Sequence, residues 1–184
     1  MNILLAFAPF LAFAVLERGM GAHTALLAAT AVAALLLVRD RVFRHRSLKL
    51  LEVGSLVLFG ALAFASRFPQ FSLSVVGVRL CVDGGLLAVI LVTLLIGQPF
   101  TLQYAREQVS EEVAGSPRFR ATNVKISALW ALAFAVIVAA DAAMLYVPGF
   151  TTLVGTIVIL AALASAALLT MWLPKAAART AEAP

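Results

Sequence analysis

The stretch that decides the fold is Ile126–Val147, ISALWALAFAVIVAADAAMLYV, which follows directly on the basic run RFRATNVK at 118–125. Within it the only charged residue is Asp141. An α-helix rises about 1.5 Å per residue, so about 20 apolar residues cross the roughly 30 Å of hydrocarbon in a bilayer. A helix of this length in water would need a polar face. This one has none, and the solvent its pattern predicts is lipid.

The same grammar extends in both directions. Upstream, apolar spans are predicted at about 2–16, 23–38, 50–66 and 79–96, and downstream at 150–173. Short polar joints separate them: Glu17-Arg18 with Gly19 and Gly21, the charged run 39–49, Arg67-Phe68-Pro69, Gly97-Gln98-Pro99 and Pro148-Gly149. Gln70 to Val78 reads as an interfacial loop. Proline cannot continue a helix without losing a hydrogen bond, so Pro174 is expected to end the last span. The fold class is all-α, a polytopic transmembrane helical bundle of six spans. It has five if the first, short and carrying Pro9, is re-entrant. Residues 1–174 form one transmembrane domain, and 175–184 are expected to be a flexible tail. The segment 100–117 is expected to be a cytoplasmic amphipathic piece, with a short surface helix over Tyr104–Val113 that ends at Gly115-Ser116-Pro117.

Composition agrees. The chain is 63% hydrophobic and 12% charged, against about 25% charged in a soluble domain. Its mean hydropathy is +1.04. The net charge of +5 does not signal nucleic acid, because the basic residues flank apolar spans and lack aromatic platforms. The expected partners are the lipid bilayer, anionic lipid headgroups, division or envelope proteins, and a second copy of the chain.

Assigning the joints alternately to two sides divides the 14 Lys and Arg residues eleven to three. Arg39, Arg41, Arg44, Arg46, Lys49, Arg106, Arg118, Arg120, Lys125, Lys175 and Arg179 share one side. Arg18, Arg67 and Arg79 take the other. This is the positive-inside pattern, and with six spans it predicts N-in/C-in. The candidate lipid-facing or partner-facing residues are Arg41, Arg44, Arg46, Lys49, Arg118, Arg120 and Lys125. Four of them sit in an echo: Phe43-Arg44 with Lys49, and Phe119-Arg120 with Lys125, offset by 76 residues. The echo would pair spans three and four with spans five and six as parallel hairpins.

Ionisable groups inside spans raise a functional question by default. The candidates are Glu52, Arg79, Asp83 and Asp141. Glu52 lies three residues past Lys49, within pairing reach at the headgroup level. Arg79 and Asp83 share a helical face at i and i+4. Asp141 lies roughly 24 Å along its helix from Lys125. It is off the small-residue seam Ser127, Ala131, Ala135 and Ala139, and it could share an outward-opening cavity with Asp83. Such a cavity would serve a small transporter or lipid-handling protein. A proton relay across the bilayer would need more acids than these.

No catalytic motif is present: no H-E-x-x-H, no Walker A, no G-x-S-x-G. Cys81 is the single cysteine, and His23 and His45 fall on opposite sides in this topology. No enzyme activity, metal or cofactor is therefore expected. Trp130, Trp172, Tyr104 and Tyr146 read as interfacial anchors.

Several features carry a family likeness. They are the chain length, Pro9-Phe10-Leu11 in the apolar N-terminus, the basic joint after the second span, the Gln98-Pro99-Phe100 exit and Trp130-Ala131. On these, over nearly its full length, the chain resembles the intracellular septation protein A family of bacterial inner-membrane proteins. Pro99-Phe100-Thr101-Leu102-Gln103-Tyr104-Ala105-Arg106-Glu107 also looks like a signature of uncharacterised bacterial relatives. The resemblance implies a protein of the bacterial inner (cytoplasmic) membrane that supports envelope integrity and division through protein partners. It assigns no functional residue.

Overall fold

Joints form where the backbone needs a residue without a side chain. Gly21 (φ 79°) and Gly149 (φ 84°) adopt left-handed conformations that other residues reach only with strain. Gly21 alone separates α2 (Ala8–Met20) from α3 (Ala22–Val38), and a short α1 (Ile3–Ala6) precedes them. A π-helical turn, Arg39–Phe43, extends α3. Then follow α4 (Leu50–Ala65), α5 (Val75–Leu95), α6 (Phe100–Ala105), a 3₁₀ turn (Arg106–Gln108), α7 (Glu111–Gly115), α8 (Pro117–Tyr146) and α9 (Thr152–Glu182). This computed structural model describes residues 3–43, 48–68 and 73–182, with side chains for 5–42, 48–68 and 73–173. Among the described residues there is no strand.

Among the described residues, four helices are long and apolar enough to cross a membrane: Ala22–Val42, Val75–Leu95, Pro117–Tyr146 and Thr152–Leu173. They mark the chain as a membrane protein. α4, with 16 residues, is about 24 Å long and falls short of the roughly 30 Å hydrocarbon core. α2, with 13 residues, is shorter still.

The boundaries differ from the sequence expectation in four places. α2 runs through Glu17-Arg18 and Gly19 to Met20. α5 starts at Val75, so Arg79 sits a full turn inside it. α8 takes in the whole basic run 118–125 as its first turns. There Ser116 caps the helix by accepting from the Phe119 N–H (3.2 Å), and Pro117 occupies the first turn, where its missing donor costs nothing. α9 continues past Pro174 to Glu182. The residues after Pro174 are mostly alanine with Lys175 and Arg179, strong helix formers that favour continuation.

The chain divides into two compact units, Met1–Val89 and Ile90–Pro184. In the first, Phe13 of α2, Ala25, Leu26 and Ala29 of α3, Phe59 and Ala63 of α4, and Val78 and Val82 of α5 form one buried cluster. Phe10 meets Phe59 edge-on at 4.8 Å between ring centroids. Lipid tails are as apolar as these side chains, so close packing holds such a cluster together, with no water to expel. α4 and α5 interlock reciprocally: a Cβ on Gly54 would meet Val89 Cγ1 at 2.7 Å, and one on Gly85 would run into Leu58 Cδ1. Each glycine is the notch for a side chain four residues along the facing helix.

In the second unit α8 and α9 form an antiparallel hairpin. Gly155 faces Met144 near the turn, and Trp130 Nε1 donates to Thr170 Oγ1 (2.9 Å) towards the open end. This hairpin is joined by a short turn, whereas the α4–α5 link spans residues 66–74, so the two hairpins of the sequence echo are built differently. Throughout, hydroxyls in apolar helices bond back to their own backbone: Thr30 to Leu26 O, Ser55 to Leu51 O, Thr93 to Ile90 O and Thr170 to Ala166 O. In lipid a polar group must find its partner within the protein.

Candidate functional site

Polar side chains gather at both ends of the first unit. At the Gly21 end, Arg79 of α5 donates through Nη2 to Glu17 Oε1 of α2. The Glu17 side chain is fully buried and that of Arg79 is 20% exposed. Glu17 Oε2 has no hydrogen-bond partner among the described residues. Asp83, one turn after Arg79, is half-buried. His23 Nδ1 and Ser66 Oγ lie 2.7 Å apart at the same end, linking the start of α3 to the close of α4. Sequence reasoning placed Glu17 in a joint and did not find this pair. An acid followed within four residues by a helix-ending glycine, facing a basic residue one turn into another span, was the available signal.

At the opposite end, the turn after α3 meets the start of α4. Arg39 Nε donates to Asp40 Oδ1 at 2.9 Å. Lys49 Nζ lies 3.8 Å from both Asp40 Oδ2 and Glu52 Oε1. The side chains of Asp40, Lys49 and Glu52 are at most 3% exposed. Lys49 therefore does not face lipid or a partner as expected. It is the positive centre between two buried carboxylates. The i, i+3 pair with Glu52 was legible in sequence, and its burial was not. Arg41 is exposed. Arg44 and Arg46 lie outside the described residues, as does His45.

In the second unit, α6 departs most from expectation. Phe100, Thr101, Leu102 and Tyr104 are all buried, so the start of the 100–117 segment packs inward, whereas residues 106–113, most of the expected surface helix, are exposed and are split between the 3₁₀ turn and the start of α7. Tyr104, at 1% exposure, is no interfacial anchor, whereas Tyr146 and Trp172 are exposed. Thr101 Oγ1 donates to the Asn123 carbonyl (2.9 Å) and lies 2.8 Å from Ser127 Oγ. Phe100 N donates to Thr93 Oγ1 (3.2 Å). Arg120 Nη2 donates to the Gly97 carbonyl (3.1 Å), securing a joint whose φ of 70° needs glycine. Arg120 is thus exposed and partly committed inward. Arg118 and Lys125 are exposed.

Asp141 is fully buried, on the face of α8 that also buries Ile137 and Phe134. The proposed seam fails for a geometric reason. Steps of four residues advance 400°, drifting about 40° each time on a helix of 3.6 residues per turn. Ser127 and Ala131 are buried, but Ala135 and Ala139 have rotated outward. Asp141 lies on the true packing face. Asp83 belongs to the first unit and Asp141 to the second.

Among the described residues no three or more His, Cys, Asp and Glu side chains come together as a metal site. The arrangement provides buried ion pairs that lock helix ends, and an exposed basic base on α8. Comparison of the chain with protein-family models, with curated proteins and with solved structures gives no match.

Proposed function

We propose that this chain is a multi-pass protein of the bacterial inner membrane that supports envelope integrity and septation through protein and lipid contacts, without catalysis. In this reading the basic ends are cytoplasmic, both termini lie inside, and α2 and α4 complete six spans by local thinning of the bilayer. The observation that carries it is the base of α8. With 30 residues the helix is about 45 Å long against a hydrocarbon core of roughly 30 Å. Its first turns, with exposed Arg118 and Lys125, extend beyond the apolar part and offer a rigid, positively charged docking surface. The resemblance to the septation family supports the cellular role.

The test is charge reversal, Arg118→Glu with Lys125→Glu, in the full chain with membrane insertion verified. Loss of recruitment to the division site is expected, with cells that chain or elongate. Unchanged recruitment by an inserted variant contradicts the proposal. The alternative, a small transporter or lipid-handling protein with an outward-opening polar cavity, draws support from the buried Glu17 beside the part-exposed Arg79. Solute uptake that depends on Glu17 would favour it.

A further inference from the structure

Residues seven apart on an α-helix return to nearly the same face, with a drift of about 20°. On α8, Arg118, Lys125 and Leu132 form one such line, and Ala121, Ala128 and Ala135 a second line beside it. All six are exposed, Leu132 at 63%, while the buried face from Asn123 to Asp141 points away. Lys125 has no ion-pair or hydrogen-bond partner among the described residues. Leu132 lies about 10.5 Å farther along the helix from Lys125. The face thus joins the charge of Lys125 at the polar end to a shallow apolar trough, where three alanines leave room beside a leucine.

We propose that this face of α8 is a binding site for an anionic phospholipid of the leaflet at the basic end. Lys125, with Arg118, holds the headgroup phosphate, and an acyl chain lies along Ala128, Leu132 and Ala135. The site rests on the membrane reading given above. Small residues at such spacing also permit close helix pairing. Two copies paired in parallel on this face would set Lys125 against Lys125 and Arg118 against Arg118, like charge on like charge. A phosphate meets the same residues with opposite charge.

The experiment is native mass spectrometry of the purified full-length protein with dioleoyl phosphatidylglycerol and, separately, dioleoyl phosphatidylcholine. Wild-type protein is expected to retain phosphatidylglycerol preferentially. Lys125→Ala should weaken that binding about fivefold, the worth of one basic residue at an anionic surface. Ala128→Leu, which fills the trough without changing charge, should weaken it as well, and glycerol 3-phosphate should not displace the lipid. Equal retention of the two lipids, or wild-type binding by both variants, overturns the proposal. So does displacement by glycerol 3-phosphate, which would mark a free-phosphate site. Disulfide dimers of Ala128→Cys in a Cys81→Ala background also overturn it, in favour of helix pairing. Phosphatidylglycerol selectivity that persists beside normal recruitment of the charge-reversed chain supports the lipid site while removing the proposed cellular role.

Discussion

Glu17 and Arg79, 62 residues apart, form an ion pair that ties the end of α2 to the first turns of α5. Removing one partner of a buried pair leaves an uncompensated charge, at a cost of about 3 kcal/mol. Glu17→Ala should lower stability by about that amount in denaturant titration of the detergent-solubilised protein. Glu17→Ala combined with Arg79→Ala should cost less than the sum of the single changes. Strict additivity would show that the pair is not coupled.

Lys49 and Arg41 make a contrast within one basic joint. Lys49 lies between the buried carboxylates of Asp40 and Glu52, and Arg41 is exposed. Lys49→Met should cost about 3 kcal/mol or more, and Arg41→Ala within about 0.5 kcal/mol. Equal effects in the same unfolding assay would contradict the burial of Lys49.

The notches at Gly54 and Gly85 predict a rescue. Gly85→Ala drives a methyl into Leu58 and should cost about 1–3 kcal/mol by overpacking. Leu58→Ala in the same chain should recover most of the loss. A double variant no more stable than Gly85→Ala alone would rule out this interlock.

How much of this was readable beforehand depends on the range of the interactions. The apolar part of α8 was legible, because a long run with a single charge is a local signal; its start was not, because Ser116-Pro117 reads as a break although serine before proline also caps a helix, and α8 begins at Pro117. Full-length crossing helices were legible for the same reason. α6 was not: FTLQYA is too short for periodicity, and its burial depends on Thr101 reaching Ser127, 26 residues away. The Asp141 assignment failed because a four-residue repeat drifts around the helix, so the small-residue line and the packing face diverge. Lys49 was misjudged because a basic joint ordinarily faces solvent, and the approach of Asp40, nine residues earlier in the chain, is not a local signal.

Thr101 supplies a direct probe of the inward-packed α6. Thr101→Val keeps the shape and removes the hydroxyl that meets Asn123 and Ser127. The expected cost is about 1–3 kcal/mol, with faster amide hydrogen exchange confined to residues 100–105. Unchanged exchange there would show that α6 is held by apolar packing alone.

The central claim is that α8 crosses a membrane with its basic base on the cytoplasmic side. In a Cys81→Ala background, Ser110→Cys before α8 and Thr151→Cys after it place one thiol at each end, both at exposed positions. Labelling of intact cells with a membrane-impermeant maleimide should modify the thiol at position 151 and spare that at 110 until the membrane is opened. Labelling of both from outside, or of position 110 alone, would contradict the account.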